Sequence, residues 1–309
     1  MSILYKYSSN LGAGFVDNPT LKISIPAKLN DPFENNWSDH IKKYIAYCHG
    51  DAPEIAIENS VFLAEMFCNF FGIISLSETN RNSLMWAHYA NNHSGMCVGV
   101  EESFLSHKAN ETIQFSNCAD IKGTCKPIKV KYDNLRFDMD EHDIIKYDNS
   151  MGKWYESFII KQLSIKSDEW MYEKEHRSII PVSHMDEVII KKRMRSREMC
   201  NFLRKGEAEG TIESIGLERF RILGELEKKI LIHMSSDDKG DDITFLCKIP
   251  PQKVTSIHLG VNFDKQTKAE MINKLKRKRH PLKNIKLYQK SISNERFELN
   301  SELIYSPDM

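Results

Sequence analysis

Residues 170–177 read Trp-Met-Tyr-Glu-Lys-Glu-His-Arg and run directly into the apolar segment 178–182, Ser-Ile-Ile-Pro-Val. This pattern predicts a β-strand, in which successive side chains point to opposite faces. Glu173, Glu175 and Arg177 would then share one face. Two carboxylates so close repel each other unless a cation, a proton or a ligand relieves them, so the trio is a candidate site. The alternative is that Arg177 pairs with a glutamate on a solvated strand face.

Length and composition predict a folded protein without a global charge. The chain has 309 residues, 41% of them apolar, with 43 Lys+Arg balanced by 43 Asp+Glu. A net charge of zero provides no overall field that would attract nucleic acid or an anionic membrane, so any such contact is expected to be local. No signal segment or spanning run is visible, which predicts a cytoplasmic protein with no membrane association. The seven cysteines are dispersed and form no C-x-x-C pair, so neither a disulfide framework nor a zinc site is predicted.

Hydrophobic periodicity predicts a single α+β domain with helical insertions. Its motif-bearing core is expected over 1–185, additional strands and a basic helix over 186–295, and a polar tail over 296–309. Strands are predicted at 4–7, 21–25, 71–78, 96–100, 128–132, 229–234, 243–249, 254–260 and 284–289. Helices are predicted over 38–70 in two parts and over 84–90, 154–166 and 264–279.

A rigid turn is predicted over 26–34, where two prolines and an Asn-Asp pair oppose regular structure. Asn30, Asp31 and Glu34 are candidates to orient a substrate from this turn. Asn and Asp are also ordinary turn formers, which is the simpler explanation of the same residues.

A strand, a helix and a strand follow one another over 71–100. Ser75 and Ser77 end the first strand on one face, and Asn82 or Ser83 is expected to cap the helix. That helix carries aromatic and imidazole side chains, of which the first is most simply a core residue: Trp86, His88 and Tyr89.

Charged runs offer weaker signals. The basic runs 191–197 and 274–279 are candidate contacts for phosphates or acidic partners, with solvated charge as the alternative. The acidic connection 138–143 lacks the ligand spacing of a calcium loop. No phosphate-loop, dinucleotide-fingerprint, H-E-x-x-H or G-x-S-x-G motif is present, so the common nucleotide, zinc-protease and hydrolase assignments lack their anchors.

Spaced motifs resemble a widespread bacterial family of unknown function that is frequent in phage-defence neighbourhoods. The resemblance covers residues 1–185 well and the later strands loosely. It rests on segments 4–7, 30–34, 75–78, 85–90 with His93 and Gly95, and 170–177.

The chain also resembles the arginine–serine–glutamate branch of the ADP-ribosyltransferases. That branch has a basic residue on its first strand, an S-T-S strand end and an E-x-E strand, in this order. Here Lys6 stands at the arginine position, Ser75 and Ser77 at the serines, and Glu173 and Glu175 at the glutamates. Lysine lacks the bidentate fork of arginine, and leucine replaces the threonine. The resemblance implies a central, mainly antiparallel split β-sheet flanked by helices.

This second resemblance implies NAD⁺ as the substrate. Glu175 would stabilise the oxocarbenium-like state of glycosidic cleavage, and Glu173 would orient or deprotonate the accepting nucleophile. Ser75 and a tyrosine of the first strand would hold the nicotinamide ribose. The further contacts implied for the cofactor are Tyr5, Lys6, Tyr7, Ser77, Trp86, His88 and Tyr89.

The function so implied is that of a toxin or anti-phage defence effector. It would transfer ADP-ribose from NAD⁺ to a macromolecular target, either nucleic acid or protein. A cognate antitoxin or regulator is an expected partner.

Two other classes of function stay open. A Mg²⁺-dependent nuclease would use Asp31, Glu34, Glu173 and Glu175 beside a scissile phosphate, with Lys174 nearby. On a regular strand, however, Lys174 points away from the glutamates. The third class is a non-enzymatic sensor or partner-binding protein in which the acidic turn, the aromatic helix and the glutamate strand merely pack together.

Overall fold

Strands and α-helices build the computed structural model, which describes residues 2–9, 11–34, 42–43, 45–47, 53–111, 113–115, 119–134, 151–194, 196–237 and 242–308. The strands are β1 Ile3–Ser8, β2 Thr20–Ile23, β3 Phe71–Ser77, β4 Met96–Glu101, β5 Ile113–Phe115, β6 Ala119–Ile121, β7 Thr124–Lys129, β8 Lys131–Tyr132, β9 Ile165–Lys166, β10 Glu175–Pro181, β11 Glu187–Ile190, β12 Ile212–Ser214, β13 Arg219–Ile222, β14 Ile243–Lys248, β15 Val254–Leu259, β16 Lys286–Ile292 and β17 Leu299–Tyr305. The helices are α1 Glu54–Cys68, α2 Ser83–Tyr89, α3 Met151–Gln162, α4 Arg197–Glu209, α5 Glu225–Asp237 and α6 Lys265–Leu275.

Two sheets carry the fold, and the predicted α+β class is confirmed. The large sheet has eight strands in the order β17-β16-β15-β4-β1-β3-β10-β7, and the second has five in the order β12-β13-β11-β14-β2. All pairs in both sheets are antiparallel except β15 with β16. Helices flank this mainly antiparallel framework, and the chain forms a single domain.

The main hydrophobic core lies between the two sheets. Ile74 and Leu76 of β3 pack there with Val188 of β11 and Phe245 of β14, all almost fully buried. Strands of the second sheet alternate strictly, so β11 and β14 send their other side chains to the opposite face. On β14 that opposite face carries Thr244 and Leu246, which line the candidate site.

The motif helix α2 is defined at both ends by local interactions. Asn82 caps its start, because the Asn82 side chain accepts a hydrogen bond of 2.9 Å from the Leu84 amide. After the helix, residues 91–93 all have positive φ, and a Cβ on Gly95 would lie 2.2 Å from the Ser8 carbonyl oxygen. Only glycine therefore fits at position 95, where the chain passes close to β1.

Two predictions about the second half of the chain are wrong. The predicted strand 229–234 is part of helix α5, in which Leu231, Ile232 and Ser235 are buried at helical spacing while His233 is exposed. The predicted polar tail contains β17, which pairs with β16 at the sheet edge. Its polar residues face solvent on both sides, so its sequence has no strand-like alternation.

Several predictions fall outside the described residues. These are most of the first helix predicted within 38–70, the acidic connection 138–143, and Cys48 and Cys118. None of the other five cysteines forms a disulfide within the described ranges. Within the described ranges, no helix is both long and apolar enough to cross a membrane.

Candidate functional site

The spaced motifs meet at one end of the large sheet. On adjacent strands, Tyr5 of β1 lies opposite Ser77 of β3, which in turn lies opposite Glu175 of β10. Arg177 lies opposite Ser75 in the same ladder. Sheet pairing thus brings the basic strand, the serine strand and the glutamate strand side by side, although they are far apart in sequence.

Glu173 is not part of the strand, contrary to the sequence prediction. It ends the 3₁₀ segment Asp168–Glu173, and Lys174 adopts a left-handed backbone conformation with φ 47° and ψ 52° before β10 begins at Glu175. Strand alternation therefore does not determine the direction of Glu173. Its position is fixed instead by Ser77, whose hydroxyl donates a 2.7 Å hydrogen bond to the Glu173 carbonyl.

Arg177 lies at the centre of the charge cluster and is only 1% exposed. Its Nε and Nη2 donate to the two carboxylate oxygens of Glu175, both at 2.8 Å, and Nη2 also bonds Glu34. Nη1 donates to the Leu163 carbonyl at 2.7 Å. The expected pairing with a glutamate is therefore present, but it is buried and bidentate rather than solvated.

Lys166 provides the second cation of the cluster. Its ammonium donates to Glu173 at 2.7 Å, lies 3.5 Å from a Glu175 oxygen, and sits 4.6 Å from the ring centre of Trp170. The sequence does not single out this residue, because an isolated lysine after a predicted helix carries no pattern that distinguishes it from a surface lysine.

The cluster holds Glu175 in its ionised form. Burial alone would raise its pKa, but Arg177 and Lys166 prevail and lower the pKa of Glu175 to about 2. Burial likewise opposes the charges of Arg177 and Lys166, yet the neighbouring carboxylates raise the pKa of both cations. For Glu34 burial is the stronger effect, and its pKa is raised despite Arg177.

The predicted rigid turn contributes to this cluster from the far end of the chain. Asn30 donates a 2.6 Å hydrogen bond to the Tyr89 hydroxyl, which donates in turn to Glu173. Asp31 closes the turn by accepting from the Phe33 amide at 2.9 Å. The turn thus links the strand system to helix α2, and Asp31 is its structural residue.

The first-strand residues differ in their access to the site. Lys6 approaches Glu175 and Glu173 closely enough for their charges to act on its pKa. Tyr5 contacts the ring of His258, whereas Tyr7 is 5% exposed and donates to the Thr79 carbonyl.

The two serines have different surroundings. Ser75 hydrogen-bonds Glu175 and helps to keep the pKa of that carboxyl low. Ser77 is 1% exposed, and its hydroxyl donates to Glu173 and accepts from the Thr79 amide. Ser75 therefore faces the carboxylates, while the Ser77 hydroxyl is used within the fold.

The aromatic helix residues are divided between core and site. Trp86 is fully buried, donates from Nε1 to the Asn80 carbonyl at 2.9 Å and packs edge-on against Tyr7. Trp86 is therefore not accessible for the cofactor contact that the resemblance implies. His88 is exposed and lies beside Tyr89, so these two residues face the solvent side of the site.

A cavity of about 910 Å³ opens beside these residues, between strands of the two sheets. The large sheet contributes Lys6, Ser75 and Glu175, and the second sheet contributes Arg219 of β13 and Thr244 of β14. Cations outnumber carboxylates among the described lining residues. The cations are Lys6, Lys22, Lys28, Lys166, Arg177, Lys191 and Arg219, and the carboxylates are Glu34, Glu173 and Glu175.

Lys6 is expected to make stability depend on pH. Burial, followed by Lys22, lowers its pKa from 10.5 to about 8. Between these values the unfolded chain binds the proton that the folded chain has released, so stability rises with pH across this interval. Lys6→Met should remove this rise, on the order of 1–2 kcal/mol after allowance for partial exposure.

Urea unfolding from pH 7.5 to 10.5 measures this effect, with Lys265→Met as the control at an exposed helical lysine. If the wild type and Lys6→Met show parallel pH profiles, the Lys6 amine is solvated and the interpretation is wrong.

The site is not arranged for a divalent cation. Arg177 and Lys166 already bridge the carboxylates of Glu34, Glu173 and Glu175, so cationic side chains occupy the space between them. Lys174, which the nuclease assignment places near the scissile phosphate, is exposed. No group of His, Cys, Asp or Glu suitable for a metal ion occurs in the described part of the chain.

The basic runs are partly neutralised within the fold. Lys191 and Arg193 both pair with Asp242, and Lys274 pairs with Asp17. Lys191 nevertheless lines the cavity.

Comparison with known proteins gives one match. A family model described as a protein of unknown function, DUF2971, matches residues 85–178. No curated protein and no solved structure matches the chain.

The DUF2971 match covers only part of the site. It includes Tyr89, Lys166, Glu175 and the rest of the glutamate segment as far as Ser178. Lys6, the rigid turn and Ser75 precede it, so the complete site depends on residues from outside the matched region.

Proposed function

We propose that the protein is an ADP-ribosyltransferase-like toxin or defence effector that transfers ADP-ribose from NAD⁺ to a macromolecule. The observation that carries this proposal is the convergence of Lys6, Ser75 and Glu175 on one cavity. The order of motifs in the sequence singles out these three residues independently of their positions in space. By the pairing register Tyr5, rather than Lys6, shares a face with Ser77 and Glu175, so Lys6 reaches the cavity from the other face of β1.

The charges of the cavity suit this substrate. NAD⁺ combines an anionic pyrophosphate with a ribose that becomes cationic as the nicotinamide leaves. The ionised Glu175 supplies negative charge at one wall, and the surplus of lining cations suits the pyrophosphate. A volume of about 910 Å³ lies within the range of ligand pockets, roughly 300–1,000 Å³.

The proposed reaction breaks the bond between the nicotinamide nitrogen and ribose C1′. The bonding electron pair leaves with nicotinamide, and Glu175 stabilises the oxocarbenium-like ribose. An acceptor hydroxyl or amine then bonds C1′, and its proton passes to Glu173. Tyr89 and Lys166 hold Glu173 in position for this step. The accepting macromolecule, nucleic acid or protein, enters from the side of His88.

One observation favours a second candidate, the non-enzymatic partner-binding protein. Arg177 and Lys166 neutralise Glu173 and Glu175 within the fold. Ion pairs of this kind are also found where charged residues only hold a strand against a turn. Here they hold β10 against the turn that carries Glu34.

The test uses the full chain, cell lysate and NAD⁺ labelled in either the nicotinamide or the adenine. Transfer predicts release of nicotinamide and adenine label in a macromolecule, with protease and nuclease digestion distinguishing the target class. Absence of both products would reject the transferase in favour of the binding role. Strand cutting that requires Mg²⁺ and stops on chelation would instead support the nuclease.

A further inference from the structure

A second cavity, of about 380 Å³, lies on the same face of the five-stranded sheet as the first. Two strands line both cavities: on β13, Arg219 faces the first and Arg221 the second. On β14, Leu246 faces the first and Lys248 the second. The alternation of a strand places each pair on one face, so the two cavities adjoin along β13 and β14.

Two buried polar side chains in the second cavity have no hydrogen-bond partner among the described residues. His184 is 5% exposed, and neither of its ring nitrogens is bonded. Its nearest carboxylate oxygen, on Glu111, lies 3.9 Å from Nε2, too far for a hydrogen bond. The hydroxyl of Ser183, which is 9% exposed, is also unbonded. Both side chains line the cavity, so a ligand there could satisfy them.

The remaining polar lining is mainly cationic. Lys108, Arg221, Lys228 and Lys248 line this cavity against two carboxylates, Glu111 and Asp186. Lys108 is 5% exposed and is held by Asp186 at 3.1 Å. Lys228 is held by Glu225 at 2.7 Å, and Lys248 by Glu187 at 3.1 Å. Each ammonium is therefore positioned in advance, which reduces the ordering cost of binding an anion.

His184 is neutral at physiological pH. Burial, then Lys108 and Lys228, lower its pKa to about 4. A neutral imidazole offers one N–H donor and one acceptor nitrogen. Its donor can serve an anionic oxygen, while its acceptor suits a hydroxyl of the same ligand.

We propose that the second cavity binds a small phosphate monoester. The phosphate oxygens accept from the Ser183 hydroxyl, the His184 N–H and the ammonium groups of Lys108 and Lys228. Met185, Ile222 and Leu223 line the remaining wall and receive the organic part of the ester. The volume exceeds what a phosphate ion fills, which favours an ester over the free ion. This site does not depend on the transferase function.

Calorimetric titration of the full chain with ribose 5-phosphate, inorganic phosphate and ribose tests the proposal. Ribose 5-phosphate is expected to bind at least about 10-fold more tightly than phosphate, and ribose not to bind, because only the ester combines charged contacts to its phosphate with a sugar hydroxyl that donates to the His184 acceptor nitrogen. Ser183→Ala and Lys228→Gln should each weaken ester binding about 10-fold. Lys229→Gln, one residue along α5 and outside the cavity, should leave it unchanged.

The imidazole nitrogen resonances of His184 provide a second measurement, because they report binding at this position directly. Ester binding should shift them in the wild type. Three results would overturn the proposal: no binding of the ester at millimolar concentration, equal affinity for phosphate and the ester, or ester binding that Ser183→Ala and Lys228→Gln leave unaltered.

Discussion

Replacement of Glu175 by glutamine is expected to reduce nicotinamide release from NAD⁺ by at least about 100-fold, because the amide carries no charge to stabilise the oxocarbenium-like ribose. Glutamine has nearly the same shape as glutamate. Arg177 retains its ion pair with Glu34, and Lys166 retains its ion pair with Glu173. The fold should therefore persist, with a loss of about 1–3 kcal/mol from imperfectly paired donors. Labelled NAD⁺ measures the first effect and urea unfolding the second.

Glu34→Gln is the matched control, since it removes the other carboxylate that Arg177 binds. Burial raises the pKa of Glu34, so this group is the less firmly ionised of the two. Activity should fall less than about 10-fold in this variant, which is below the loss typical of a group that stabilises transition-state charge. If both variants lose activity equally, charge balance around Arg177 would explain the effect, and the role assigned to Glu175 would be wrong.

Arg177→Met is expected to lower the free energy of unfolding by about 3–5 kcal/mol at neutral pH, because it leaves buried carboxylates without their cation. Glu175 loses a bidentate partner, and the Leu163 carbonyl loses its donor. The remaining carboxyls should then have raised pKa values, so the deficit should shrink as the pH falls and they become protonated. Urea unfolding at pH 7 and pH 4.5 measures both effects.

Arg193→Met removes a largely exposed arginine whose buried partner, Asp242, keeps Lys191, and it should cost no more than about 1 kcal/mol. A deficit for Arg177→Met as small as that of the control would mean that water compensates the buried carboxylates. The arginine would then be a peripheral residue rather than the centre of the cluster.

Local periodicity was sufficient for much of the large sheet. The bounds of β3, β4 and helix α2 agree with the prediction within a residue or two. Strand alternation, helical spacing and the Asn82 cap each depend on only a few neighbouring residues. The same local rules failed at Lys174. Its left-handed backbone interrupts the strand, although nothing in the alternating polar sequence marks that residue as a turn.

Only some of the residues that form the site can be predicted from the sequence. Glu173, Glu175 and Ser75 carry a motif, whereas Lys166 and Arg219 reach the cavity through strand pairing and leave no sequence pattern. Helix α5 was misread as a strand because its apolar residues form a short continuous run, which both structures can contain. Contacts between distant segments, rather than propensity, decided these cases.

The sequence separations within the charge cluster have a consequence for the order of folding. Lys166 lies nine residues from Glu175, and Arg177 lies two from it, but Glu34 is 143 residues from Arg177. Short loops close with a smaller entropic cost than long ones. We therefore expect Glu175 to acquire its cations as β9 and β10 assemble, before the rigid turn docks, so that the folding chain does not bury this carboxylate alone.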